Sequence, residues 1–188
     1  MSVKKKKIKV GILGCGAIGS RMALSIKNEL KDFAVVSGIF DIQLDRAKKL
    51  AKNFSRGRII KRSFEELVKS CDLMVEAVNA QDTQQLIRQA LSAKKDVLVM
   101  SVGKLLGAHD IFKLALKHRC RLLVPSGAIA GLDAIKAASQ RKISKITLTT
   151  RKPTFGFAQN AYITGQNIDL TKIKSETVLF DGDVKSAI

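Results

Sequence analysis

The sequence predicts an α/β fold, a doubly wound parallel sheet covered by helices on both faces, followed by the start of a smaller α+β domain. Three observations lead there. Continuous apolar runs of strand length alternate with amphipathic stretches from Ile8 to Ala138, as strands buried on both faces require. The first run passes directly into Gly14-Cys15-Gly16-Ala17-Ile18-Gly19, a glycine turn set between a strand and a helix. Near residue 140 the rhythm changes to β-branched, partly alternating segments without intervening helices. The domain boundaries drawn from these patterns are 1–140 and 141–188.

The first strand is Ile8 to Leu13, and the helix after it includes Ser20 to Ile26. Between them Gly14 permits a tight turn, Gly16 leaves room for a pyrophosphate to approach the backbone, and Gly19 lets the helix pack close to the strand. Unpaired N–H groups and the helix dipole then favour an anion at Ala17 and Ile18. The second strand, Phe33 to Phe40, ends at Asp41, 22 positions after Gly19. A Rossmann-type unit puts there the carboxylate that bonds the adenosine ribose hydroxyls. Strand, turn, helix, strand and terminal acid together predict a dinucleotide site. The carboxylate repels a 2′-phosphate, so NAD is favoured over NADP, a preference that nearby Arg46 and Lys48 weaken. Asp41 is also placed to cap the helix Leu44 to Lys52.

Arg58-Ile59-Ile60 reads as a short third strand, and Ser63 with Glu66 has the spacing of a capping box. The remaining strands are Asp72–Val78, Asp96–Val102 and Arg121–Val124; the helices are Thr83–Ala93, Ala108–Lys117 and one running through Ala130 to Ala138. In the second domain Ile143 to Thr150 and Thr177 to Phe180 read as strands. Asp181 to Ala187 looks like the start of another helix, so the sequence reads as unfinished at Ile188.

Composition narrows the function classes. Of the 188 residues, 46% are hydrophobic, enough for a packed core, and no apolar stretch approaches the roughly 20 residues of a membrane span. The basic start at Lys4 to Lys7 lacks the long apolar core of a signal peptide. Cys15, Cys71 and Cys120 form no metal or redox spacing, which points to a reducing cytoplasm without disulfides or zinc. The net charge of +18 raises the question of nucleic acid, but the lysines are scattered and aromatics make up only 5%. Without a stacking platform, a solvated basic surface is the better reading.

Ligands in such a sheet bind at the carboxyl ends of the strands. Those ends are the glycine turn, Asp41, Ala77-Val78-Asn79-Ala80, Ser101 to Lys104, and Pro125 to Ala128. Ser126 and Gly127 lead toward a helix N-terminus suited to a carboxylate or the nicotinamide amide. Arg151 and Lys152 offer a fork and a point charge for a diacid, set against the ordinary case of surface charges at a strand end. His109 and His118 stand nine positions apart, about 900° around a helix, and cannot share a metal. Lys104 lies within reach of a substrate, Cys15 reads as a small filler, and no general acid or base stands out.

These residues carry a resemblance. The run Val124-Pro125-Ser126-Gly127-Ala128-Ile129-Ala130-Gly131-Leu132-Asp133-Ala134 resembles the hallmark segment of L-aspartate dehydrogenases. Thr149 to Pro153, Val75-Glu76-Ala77, Lys95-Asp96-Val97 and Met100 to Gly103 are similar to that family in the same order. The resemblance implies NAD(P)-dependent oxidation of L-aspartate to iminoaspartate, which yields oxaloacetate and ammonia or enters NAD synthesis. It implies a homodimer, cofactor contacts at Ala128 and from Ala77 to Asn79, and a catalytic histidine beyond Ile188. The chain departs from the family at Val78 and Asn79, where a small and a polar residue are usual, and at Lys104, where alanine is usual. Two other readings stand beside it. One is a two-domain oxidoreductase of a sugar or alcohol, though such enzymes often carry Glu-Lys-Pro where this chain has Val102-Gly103-Lys104. The other is a non-catalytic nucleotide-binding module, supported by the net charge.

Overall fold

The strands form where apolar runs can be buried on both sides. The computed structural model describes residues 6–55, 59–78, 80–127, 129–158 and 160–187. Arg58, Asn79 and Ala128, on which sequence expectations fell, lie outside these residues, as do Lys4 and Lys5. The strands are β1 (Ile8–Leu13), β2 (Ala34–Phe40), β3 (Leu73–Glu76), β4 (Asp96–Val99) and β5 (Leu122–Leu123). They make one parallel sheet in the order β2-β1-β3-β4-β5. Parallel neighbours need crossovers, and helices supply them. Helix α1 (Ala17–Asn28) joins β1 to β2, and α2 (Leu44–Ala51) and α3 (Phe64–Ser70) join β2 to β3. Helices α4 (Thr83–Ser92) and α5 (His109–His118) complete the pattern.

Alternate strand residues face opposite layers. Leu13 and Met74 join a core with α3, α4 and α5, represented by Leu67, Ile87 and Ile111. Ile12 and Val75 join the other core with α1 and α2, represented by Ala23, Ile26, Ala47 and Leu50. This is the doubly wound arrangement, and its chain reversal falls between β1 and β3, the place at which open sheets of this kind take their ligands.

Several expectations are corrected. The third strand is a single parallel bridge, Ile39 with Ile60, at the outer side of β2. Ile39 donates to the Ile59 carbonyl and accepts from Lys61, and the α3 cap at Ser63 follows immediately, which leaves no length for a strand. The β3 and β4 strands also end early. The N–H groups of Val78 and Ser101 turn to the Glu76 carboxylate instead of continuing the ladder, and a 3-10 turn occupies Val102–Leu105. The α3 cap is present: Ser63 Oγ accepts from Glu66 N at 3.2 Å, while Glu66 Oε2 accepts from Arg62 N at 3.0 Å.

The chain divides into two compact units, Met1–Gly127 and Ala128–Ile188. The second contains α6 (Leu132–Ala138) and α7 (Ala161–Gly165), with 3-10 turns at Thr154–Phe157 and Leu170–Lys172. Asn160 caps α7 by accepting from Tyr162 N and Ile163 N, and Tyr162 meets Phe180 edge-on at 5.5 Å. No strand occurs among its described residues. Ile143 to Thr150 and Thr177 to Phe180 are irregular and make no strand pairing, and Ile146 and Leu148 are more than half exposed. An alternating pattern becomes a strand only beside partners that take its N–H groups and cover its apolar face. Residues 184–187 form a turn instead of opening a helix.

Candidate dinucleotide-binding site

The glycine turn has the geometry an anion cradle needs. Gly14 has φ of +93°, donates to the Phe40 carbonyl at 2.8 Å, and lies so close to β3 that a Cβ would sit 2.5 Å from the Ala77 carbonyl oxygen. A Cβ on Gly19 would sit 1.9 Å from the Gly14 carbonyl oxygen, so α1 rests directly on the turn. At Gly16 the opposite holds: no atom lies within 4 Å of the Cβ direction. Gly16 is also the N-cap of α1, with no side-chain cap and no acidic residue in the first turn. The N–H groups of Ala17, Ile18 and Gly19 therefore have no partner within the helix, and Ala17 and Ile18 are exposed. A pyrophosphate fits this cradle in both space and charge.

Asp41 stands beside the turn, half-buried at the end of β2. It does not cap α2, whose N-cap is Gln43. Its Oδ2 accepts from Cys15 N at 2.7 Å and its Oδ1 from Gln43 N at 2.8 Å, so the carboxylate ties the glycine turn to the start of α2. Each oxygen retains a lone pair for a ribose hydroxyl. Of the neighbouring cations, Lys48 leans toward Asp45 at 3.6 Å. Cys15 is buried, and its thiol is pushed up to about 12 by burial and then by the charge of Asp41. It is an inert packing group.

Ala77 and Val78 lie half-buried at the end of β3, with Ala77 N bonded to the Leu13 carbonyl at 2.8 Å. The structure thus gathers Gly14, Gly16, Gly19, Asp41, Ala77 and Val78 along the strand ends. It also shows a residue that motif reading passed over. Glu76 is fully buried and accepts hydrogen bonds from Val78 and Ser101. Its signal in the sequence is one acid inside the otherwise apolar run Leu73 to Val78.

The remaining candidates are placed differently. Ser126 and Gly127 are exposed beyond β5, and the helix expected directly after them starts only at Leu132, with Gly131 as its N-cap. The φ of +67° at Gly127 and +78° at Gly131 turns the backbone before a helix can begin. Arg151 and Lys152 belong to the second unit: Arg151 Nε pairs with Glu176 Oε1 at 2.9 Å, and Lys152 Nζ lies 5.8 Å above the Phe157 ring. His109 and His118 are the first and last residues of α5, about 14 Å apart along its axis. Lys104 sits in the 3-10 turn, its carbonyl accepting from Gln84 Nε2. Among the described residues no cluster of His, Cys, Asp or Glu is placed to hold a metal, and no helix is long and apolar enough to cross a membrane.

Known proteins resemble the chain along most of its length. Residues 14–125 match the family "Homoserine dehydrogenase, NAD binding domain", and residues 133–188 match "Aspartate dehydrogenase, C-terminal". The L-aspartate dehydrogenase of Methanosarcina mazei is 38% identical over 184 residues, covering 96% of this chain and 68% of that protein. That of Methanococcus maripaludis strain C6 is 39% identical over 185 residues, with the same coverage. Solved structures share the fold. A homoserine dehydrogenase from Thiobacillus denitrificans superposes with a TM-score of 0.57 at 23% identity, over 70% of this chain and 32% of that one. GenD2 from gentamicin A biosynthesis, solved with NAD, gives 0.57 at 18% identity, over 74% and 40%. The match thus covers 40% and 32% of these two solved neighbours and 68% of the curated relative from Methanosarcina mazei. With this continuous similarity along 96% of its length, the chain belongs to the L-aspartate dehydrogenase family.

Proposed function

We propose that the protein catalyses the NAD-dependent oxidative deamination of L-aspartate. L-Aspartate and NAD give iminoaspartate, NADH and a proton; water then converts iminoaspartate to oxaloacetate and ammonia, unless it is passed on toward NAD synthesis. The observation that carries this reading is family membership across 96% of the chain, together with a glycine cradle open only at Gly16. The nicotinamide supplies the hydride acceptor for the substrate α-carbon. The chain's own residues bind and orient. The first-turn N–H groups of α1 take the pyrophosphate, Asp41 takes the adenosine ribose, and Ala77 and Val78 back the groove beyond it. The negative charge of Asp41 favours NAD, with NADP the weaker cofactor.

For substrate, the first unit offers Ser126 and Gly127, and the second offers Arg151 and Lys152 as cations for carboxylates; family resemblance adds Asn79 and Ala128 as cofactor contacts. Arg151 would exchange Glu176 for substrate. Both members of that pair are 74% exposed, so the exchange costs little. Neither histidine of α5 is assigned the catalytic role. The protein works as a homodimer in the cytoplasm, where its three free thiols persist, and nucleic acid is not its partner. The test is aspartate-dependent formation of NADH by the full-length protein. Turnover of L-aspartate in preference to sugars and alcohols supports the reading. NAD binding with no aspartate turnover rejects it.

A further inference from the structure

Two polar or charged side chains are fully buried among the described residues, Glu76 and Thr83, and each makes hydrogen bonds to the backbone just after β3. Glu76 Oε1 accepts from Val78 N at 2.8 Å, and Oε2 accepts from Ser101 N at 3.2 Å and Ser101 Oγ at 2.7 Å. On the other side Thr83 Oγ1 donates to the Ala80 carbonyl at 2.8 Å and accepts from Ala80 N at 3.4 Å. Glu76 lies between Leu13 and Val99, its neighbours across the sheet, with no cation paired to it among the described residues. A carboxylate in such surroundings stabilises a fold less than an apolar side chain of the same size. Its three hydrogen bonds join the ends of β3 and β4, so its contribution lies in positioning them.

We propose that Glu76 and Thr83 are positioning residues that fix Val78 and Ala80 as a shelf for the half of the dinucleotide beyond the pyrophosphate. The proposal rests on the dinucleotide site proposed above. The strand order supplies the direction. Asp41 ends β2, the glycine turn ends β1, the shelf follows β3, and Ser101 follows β4. A ligand with its ribose on Asp41 and its pyrophosphate at α1 must continue over β3 and β4. The adenosine half has its own tethers, Gly14 N to Phe40, Cys15 N to Asp41, and Ser20 Oγ to Cys15. Loosening the shelf therefore acts on one half of the ligand.

The experiment measures Kd for NADH and for ADP, with thermal unfolding in parallel, on wild type, Glu76→Gln and Thr83→Val. Glu76→Gln keeps one acceptor oxygen and puts an amide donor in place of the other, so either Val78 N–H or Ser101 N–H loses its acceptor. Thr83→Val keeps the shape, removes only the hydroxyl, and carries the test should Glu76→Gln not fold. The expected result is an NADH Kd raised about tenfold in Glu76→Gln and about threefold in Thr83→Val, with the ADP Kd within about twofold of wild type. Equal losses for NADH and ADP, or an unchanged NADH Kd, overturn the positioning role while the site itself stands. A wild-type protein that binds neither ligand overturns the dinucleotide site, and the shelf with it.

Discussion

Gly19 is the residue with the least freedom to change. Its missing Cβ leaves 1.9 Å to the Gly14 carbonyl oxygen, a backbone atom that cannot yield without moving the turn. Gly19→Ala is expected to lower stability by about 2 kcal/mol or more, and thermal unfolding will show it. At Asp41 the expectation is about binding: Asp41→Ala should raise the NADH Kd about tenfold and narrow the preference over NADPH. Cys15 makes a pH prediction. Its thiol titrates near 9.0 when unfolded and about 12 when folded. The native state then holds the proton more tightly, so stability is complete below pH 9 and declines as pH rises toward 12. Denaturant unfolding of Cys15→Ala should show a shallower decline across that window than wild type. Equal slopes would remove Cys15 from the account.

Elements built from local chemistry were legible in the sequence. Each sheet crossover could be read from an apolar run followed by an amphipathic one, and α3 from Ser63 and Glu66 alone. Replacing Ser63 with Ala should cost about 1 kcal/mol, read as a lower urea midpoint at constant slope. What the sequence concealed depended on partners far along the chain. The early end of β4 follows from a carboxylate 25 residues upstream that captures Ser101. Periodicity has no access to such a bond. The segment around Ile146 has a strand's pattern but no neighbour to pair with among the described residues. Asp41 was legible as the acid at the end of β2, whereas its bond to Cys15 required the folded turn.

For the whole molecule, the sheet order places the described parts of the proposed cofactor groove in the first unit along one row of strand ends, although these residues span Gly14 to Ser101 in sequence. Most of the described lysines and arginines are exposed, and ion pairs such as Arg121 with Asp96 and Arg88 with Asp110 lie at the surface. The net charge of +18 favours approach of an anionic dinucleotide in a salt-dependent way. The central claim is that one NAD lies along this row. Calorimetric titration of the protein with NADH, repeated in the presence of ADP, tests it most directly. The account predicts saturable binding of one NADH per chain, shifted to weaker apparent affinity by ADP through the shared Asp41 and α1 contacts. Absence of saturable binding, or binding that ADP leaves untouched, would contradict it.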